Sequence, residues 1–286
     1  MKESYRINHL DIIDRRSFIK SCGAALSCLF VRCGRCMEDS ADAGGFTIMS
    51  YNIRHGAGID GKLDLARIGC IISAASPRFV GIQEVDMLTK RVHGLDTCDV
   101  LAKATGLHAT FAKAIFYSGG EYGVALLSRE KPLNVRRIPL PGAEPRVLLL
   151  CEFNDCWIGN THLDVSMKGS LRLDSVKIIE REVRKCAGKP VFLMGDWNAK
   201  PSSDVLSAIR GYMRIISCEN VATFHGKGLR HPKERENSNH CIDYIAVNAP
   251  FADSLEIKDT HVVEERVASD HAPIVVTVRR RGGARK

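Results

Sequence analysis

A chain of 286 residues with 45% apolar and 26% charged side chains has the makeup of an ordinary globular protein, not of a disordered or fibrous one. No apolar run approaches the roughly 18 residues that span a bilayer, so no stable membrane span is expected. The formal net charge of +8 suggests a nucleic-acid partner less than it first does. Residues 46–278 carry 29 Lys and Arg against 27 Asp and Glu, and the last eight residues add five cations, so the body of the protein is nearly neutral.

Residues 1–43 read as an export leader. Asp14-Arg15-Arg16-Ser17-Phe18-Ile19-Lys20 precedes a short apolar stretch, Cys22 to Val31, in the manner of a twin-arginine signal. Asp14 and Ile19 depart from the usual Ser/Thr and Leu of that pattern. Ala41-Asp42-Ala43 offers a small-x-small cleavage site with Gly44 as the new N-terminus. The expected location is therefore periplasmic or extracellular, with a lipid anchor as the variant in which a leader cysteine is retained and acylated. Of the eleven cysteines, Cys22, Cys28, Cys33 and Cys36 lie in this leader. Cys33-x-x-Cys36 lacks the second ligand pair of a zinc site. Cys151 and Cys156 flank a hairpin turn and could pair across it, whereas Cys70, Cys98, Cys186 and Cys218 read as small buried apolar residues.

From residue 44 to 278 the pattern is that of one α/β domain, followed by a basic tail, 279–286. Strands are predicted at Phe46–Ile53 and Phe79–Val85. Between them Asp64 caps a helix with Leu65, Ile68, Ile71 and Ile72 on one face. Further strands are predicted at Gly123–Leu127, Arg146–Phe153 and Trp157–Thr161. A helix at Ser170–Lys185 carries Leu173, Val176, Ile179 and Val183 on its apolar face, and strands follow at Val191–Met194, Ile242–Val247 and Pro273–Val278.

The strands end in the same kind of chemistry: Ser50-Tyr51-Asn52, Gln83-Glu84, Asn160-Thr161-His162, Gly195-Asp196-Trp197-Asn198, Ile242-Asp243-Tyr244 and Ser269-Asp270-His271. An apolar strand that ends in an acid, amide or imidazole delivers that group to one rim of a sheet, where loops gather a site. Any one of these residues could be a turn former or a surface carboxylate. Together they make an oxygen-rich set with two imidazoles, which selects hard cations such as Mg²⁺ or Mn²⁺; zinc would call for more His and Cys.

These segments match in order the motifs of the endonuclease/exonuclease/phosphatase superfamily, which the chain resembles over nearly all of residues 46–278. Tyr51 to Gly56, Gln83 to Asp86 and Gly120 to Gly123 look most like its small bacterial hydrolases. The resemblance implies a four-layer α/β/β/α sandwich, two packed and mostly antiparallel sheets flanked by helices. It implies that Glu84 binds the metal, helped by Asn52 and Asp270. Asp196 and Asn198 would position and polarise the attacking water. His271 would act as general base or phosphate contact, oriented by Asp243, and His162 would donate to the phosphate or the leaving group. Whether Asp196 or His271 takes the water's proton stays open. His162 stands where relatives that cut abasic DNA tend to have Tyr, which tilts the reading away from DNA repair. Cys241 stands where relatives often carry a basic residue.

The implied function is metal-dependent hydrolysis of a phosphoester, most simply a phosphodiester, by a chain acting as a monomer. Three substrate classes compete: nucleic acid, as for an extracellular nuclease; a phospholipid head group, as for a sphingomyelinase-like enzyme; and a small phosphoester. The aromatic content of 6% is low for a nuclease groove, and Ala114-Ile115-Phe116-Tyr117 is the one apolar hairpin suited to a lipid surface. A silent binding module of the same fold is the reading from another class. Substrate contacts are expected from Arg54, Asn160 and Arg172, and from the basic stretch His225 to His240.

Overall fold

The computed structural model describes residues 45–166, 169–186, 188–226 and 240–281; the leader, residues 227–239 of the basic stretch and the last five residues lie outside the described residues. The strands are β1 (Gly45–Asn52), β2 (Phe79–Met87), β3 (His108–Tyr117), β4 (Gly120–Ser128), β5 (Asn134–Leu140) and β6 (Arg146–Glu152), then β7 (Trp157–His162), β8 (Val191–Asp196), β9 (Met213–Ile215), β10 (Asp243–Asn248), β11 (Leu255–Val262) and β12 (Ile274–Arg280). The helices are α1 (Leu65–Ala75), α2 (Thr97–Thr105), α3 (Gly169–Arg184), α4 (Asp204–Arg210) and the single turn α5 (Ala249–Ala252).

Two six-stranded sheets form, in the orders β11-β12-β1-β2-β4-β3 and β5-β6-β7-β8-β10-β9. Their packing follows from strands that are apolar on both faces. In β6, Val147, Leu149 and Cys151 point into the layer between the sheets, while Leu148 and Leu150 point outward under α3 and α4. In β8, Phe192 and Met194 face inward, and Val191 and Leu193 face the helices. On the other side Met49, Val80 and Ile82 meet Leu65, Ile68 and Ile72 of α1 and Leu101 of α2. The result is the four-layer α/β/β/α sandwich. Asp64 caps α1 as expected, accepting from the Arg67 amide at 2.9 Å.

Each sheet contains one parallel pair, β1–β2 and β7–β8, joined by crossover helices α1 and α3; the neighbours of these pairs are antiparallel. Parallel pairing puts the C-terminal ends of both strands at the same rim. Gly195, the penultimate residue of β8, has φ 149°, and a Cβ there would collide with the Thr161 carbonyl oxygen on β7. Only glycine lets these two strands approach at the rim.

Two expectations need correction. Arg279 and Arg280 are not tail: both lie in β12, with Arg279 paired to Glu256 at 2.8 Å and Arg280 donating to the Asp155 carbonyl. Cys151 and Cys156 are not paired with each other, and both side chains pack in the apolar layer between the sheets. No helix of the described residues is long and apolar enough to cross a membrane.

Candidate active site

Asn52 ends β1, Glu84 lies near the end of β2, and His162 and Asp196 close the parallel pair β7 and β8. Asp243 opens β10, where it pairs in register with Asp196, and Asp270 and His271 immediately precede β12, whose Ile274 pairs with Ser50. Since β10 and β12 run antiparallel to β8 and β1, their beginnings reach the same rim as the ends of the other four.

The backbone is locally bent to present these groups. The register of β2 against β4 shifts between Ile82 and Val85, a bulge that turns Glu84 out of the ladder with φ 57°. Asn198, Arg54 and His55 also have positive φ, at 47°, 47° and 48°. Side-chain-bearing residues in this region cost about 1–3 kcal/mol each and persist where the surroundings hold them. Here four of them ring the convergent acids.

One amide organises the centre. Asn52 Nδ2 donates to Glu84 Oε1 at 3.1 Å and to Asp196 Oδ2 at 3.0 Å, while its carbonyl accepts from the Arg54 backbone at 3.1 Å. Ser269 Oγ donates to the Asn52 backbone carbonyl oxygen at 2.7 Å, a different atom from the side-chain Oδ1, and so ties the Asp270–His271 turn to β1. Asn198 donates both amide hydrogens, to the Leu163 carbonyl at 3.0 Å and to His162 Nε2 at 3.0 Å. His162 Nε2 also lies 3.4 Å from Asp196 Oδ2. His271 Nδ1 lies 2.8 Å from Asp243 Oδ2, and its Nε2 lies 3.6 Å from Asp196 Oδ2. One ligand atom each from Asp196, Asp243 and His271 falls within 4.8 Å of the others.

The electrostatics separate the two imidazoles. Burial opposes a charge on His271, but Asp243 and Asp196 outweigh it and hold its pKa up at about 10. His162 is driven the other way, well below its ordinary value, by burial and by the nearby Arg146 and His271 charges. Asp196 is raised to about 7, mainly by burial and then by Asp243, with His271 and the Asn198 and Asn52 hydrogen bonds opposing. Burial, and after it Asp270, also raises Glu84.

Those carboxylates form an oxygen donor set in search of positive charge. Glu84 and Asp270 repel one another, opposed at Glu84 by the His271 and Arg91 charges, and Arg54 lies 3.8 Å from Asp270 and is 30% exposed. A hard divalent cation fits that set. The Asp243–His271 pair is already neutralised within itself. Glu84, Asn52 and Asp270 are thus residues that could hold a metal, beside the tighter Asp196–Asp243–His271 group.

Three residues expected at the substrate take different places. Asn160 is 1% exposed and lies between the sheets, where its amide donates to the Ile82 and Ala125 carbonyls at 2.9 and 2.8 Å and its oxygen accepts from Gln83 at 2.7 Å. It links the sheets and does not face a ligand. Arg172 donates to the Asp164 and Ser166 carbonyls, both at 2.8 Å, and so braces the loop that leaves His162. Arg54 does remain at the rim. Of the basic stretch, the described ends pack there: the His225 amide donates to the Asp270 carbonyl at 2.9 Å, and Phe224 bridges His240 and His271.

Two rim residues carried no usable sequence signal as site residues. Thr223 Oγ1 donates to Asp243 Oδ2 at 2.6 Å and accepts from the Ile242 and Asp243 amides at 3.2 Å. It is a lone Thr in an irregular segment. Arg146 is 5% exposed, pairs with Glu144 at 2.9 Å and lies beside Tyr122 and His162. Its one visible cue is that a cation opens an otherwise apolar strand.

The chain matches the Endonuclease/Exonuclease/phosphatase family over residues 49–271. No curated protein sequence matches it. Among solved structures it is similar to an endonuclease/exonuclease/phosphatase from Beutenbergia cavernae, with a TM-score of 0.68 and 20% identity over 84% of this chain and 72% of that one. The endonuclease/exonuclease/phosphatase from Bacteroides vulgatus gives 0.66 and 20% identity over 83% and 99%. The mannosyl-6-phosphatase Bt3783 of Bacteroides thetaiotaomicron gives 0.59 and 18% over 82% and 99%. At such identities the likeness concerns the fold. The match from Met49 to His271 encloses every strand end of the rim, and the chain belongs to the endonuclease/exonuclease/phosphatase family of hydrolases acting on phosphoester bonds.

Proposed function

We propose that the chain is a divalent-metal-dependent hydrolase that cleaves phosphodiesters by attack of an activated water. The observation that carries this reading is the single Asn52 amide that joins the Glu84 carboxylate to Asp196. It couples the metal seat to the group that handles the water. Glu84 would hold Mg²⁺ or Mn²⁺ with help from Asn52 and Asp270, and metal chemistry there would supply charge neutralisation at a non-bridging phosphate oxygen and at the leaving oxygen.

The protein's own groups then divide the remaining work. Asp196 accepts the proton of the water, since a carboxylate raised to about 7 is poised for proton transfer near neutral pH. Asn198, whose backbone amide donates to Asp196 Oδ1 at 3.0 Å, keeps that carboxylate in one orientation. His271, cationic and held by Asp243, offers positive charge to the phosphate and is too basic to serve as the base at neutral pH. His162 is held neutral, which suits hydrogen bonding to the phosphate better than delivery of a proton to the leaving group. Arg54, beside Asp270, is the remaining candidate for substrate contact.

Hydrolysis of bis(p-nitrophenyl) phosphate with Mg²⁺ or Mn²⁺, with and without EDTA, tests the reading. Activity that EDTA abolishes and Glu84→Ala removes is expected. Equal, null rates for the wild-type chain and Glu84→Ala would leave a silent binding module instead. Export is part of the same proposal, and replacing Arg15 and Arg16 by lysine should retain the protein in the cytoplasm.

A further inference from the structure

Beside the rim an open groove of about 600 Å³ is lined by Met87, Leu88, Phe116 and Tyr117, and by the turn from Ser118 to Glu121. Its size falls within the range of about 300–1,000 Å³ typical of ligand clefts. The walls are preformed. Ser118 and Gly119 make a two-residue hairpin turn with φ 46° and 86°, and the Ser118 carbonyl accepts from the Lys90 amide at 3.0 Å. Across the groove, Leu88 is fixed by its amide donating to the Leu95 carbonyl at 2.9 Å.

The apolar groups are left open to solvent: Phe116 is 77% exposed and Leu88 58%. Two of the cations around them are engaged. Arg91 is paired with the buried Asp86 at 2.6 Å, and its guanidinium lies 4.6 Å from the centre of the Tyr117 ring and 5.5 Å from that of Tyr122. Lys113 sits over Phe116 at 3.6 Å and pairs with Glu121 at 3.0 Å. The groove therefore offers carbon surface and polarised aromatic rings, with Arg91 and Lys113 committed to neighbouring carboxylates and the Lys90 side chain beside Gly119.

The groove is lined by the end of β2, the strand that carries Glu84. Met87 follows Glu84 on the same strand by three residues, about 10 Å of extended chain. Tyr117 and Tyr122 have ring centres 6.4 Å apart, and Tyr122 feels the Glu84 charge. We propose that this groove is the subsite for an apolar substituent, alkyl or aryl, esterified to the phosphate bound at Glu84, so that the protein selects individual phosphodiesters with an apolar half. The proposal rests on the phosphoester-hydrolase reading for its chemistry. An open groove of this size can seat such a group along its apolar wall.

Binding of diphenyl phosphate and of dimethyl phosphate, followed by NMR titration in the presence of Mg²⁺, tests it. The wild-type chain should prefer diphenyl phosphate by about tenfold or more, the range that a filled apolar pocket supplies. In Leu88→Ser combined with Phe116→Ser, both exposed and so safe for folding, that preference should fall to near unity. A wild-type chain without the preference, or a variant that keeps it, overturns the proposal. Sedimentation with phosphatidylglycerol vesicles that is seen for the wild type and lost in the variant would also overturn it, by assigning this face to a bilayer. If the preference is present while bis(p-nitrophenyl) phosphate is not cleaved, the groove stands and the hydrolase reading fails.

Discussion

Asp243 Oδ2 accepts from His271 Nδ1 at 2.8 Å, and this contact sets the charge of the imidazole. Burial alone would lower the His271 pKa, yet Asp243 and then Asp196 lift it from 6.5 to about 10. The stability contributed by this charge is complete below the ordinary value of 6.5 and is lost as the pH rises through about 10. Asp243→Asn should lower the midpoint of His271 in the metal-free protein by roughly two units or more, read from its ring proton by NMR. A midpoint that stays near 10 would mean that another group holds the proton.

The Asn52 amide should be felt in metal binding as well as in catalysis. Asn52→Ala removes the donor shared by Glu84 and Asp196 and leaves two buried acids facing each other without it. Loss of a group that orients a ligand typically costs about 10- to 100-fold in metal affinity or activity. Calorimetric Mg²⁺ titrations should show that loss, and the Mg²⁺-induced rise in Tm of the wild-type protein should shrink in the variant. An unchanged Mg²⁺ affinity would remove Asn52 from the metal seat.

How much of this was legible in the sequence depended on where an element lies in its sheet. The eight interior strands, such as Val147–Cys151 and Val191–Met194, are buried on both faces and announce themselves as apolar runs. The four edge strands, β3, β5, β9 and β11, escaped notice. Strand β11 reads Leu-Glu-Ile-Lys-Asp-Thr-His-Val, and β5 contains Pro139, because edge strands carry charge and proline that block further pairing. Helix α2 and the two-turn α4 were missed for lack of length. The site was legible wherever a run ended in a functional group, as at Asn52, Glu84, His162 and Asp196. The same rule misplaced Asn160, which shares a face of β7 with His162 two residues on but lies deeper along the strand, where Gln83 and the Ile82 and Ala125 carbonyls of the other sheet engage it. Thr223 was invisible because its role depends on a strand twenty residues away.

Thr223 offers a clean separation of shape from hydrogen bonding. Its hydroxyl donates to Asp243 and accepts from two backbone amides, so Thr223→Val leaves those groups buried and unpaired in a side chain of similar shape. The expected cost is about 1–3 kcal/mol of stability. Activity should fall with it, because Asp243 loses one of its two anchors while His271 keeps the other. Thr223→Ser should restore most of both, measured by urea unfolding and by the rate on bis(p-nitrophenyl) phosphate. A valine variant as stable and active as the wild type would show that Asp243 is held by His271 alone.

Gly195 is the residue on which the joining of β7 and β8 at the rim depends most directly. An added methyl would strike the Thr161 carbonyl, and φ 149° is a conformation that side chains resist. Relief requires the strands to part next to His162 and Asp196, which pair in register at the end of the sheet. Gly195→Ala should therefore destabilise the protein by roughly 3 kcal/mol or more, a size reserved for overpacking and backbone strain. It should also weaken catalysis in the fraction that remains folded, since Asp196 would leave its 3.0 Å contact with Asn52. Thermal unfolding gives the first quantity and active-site titration with kcat the second. A stable variant with normal kcat would mean that the two strands can separate at their ends without moving the acid.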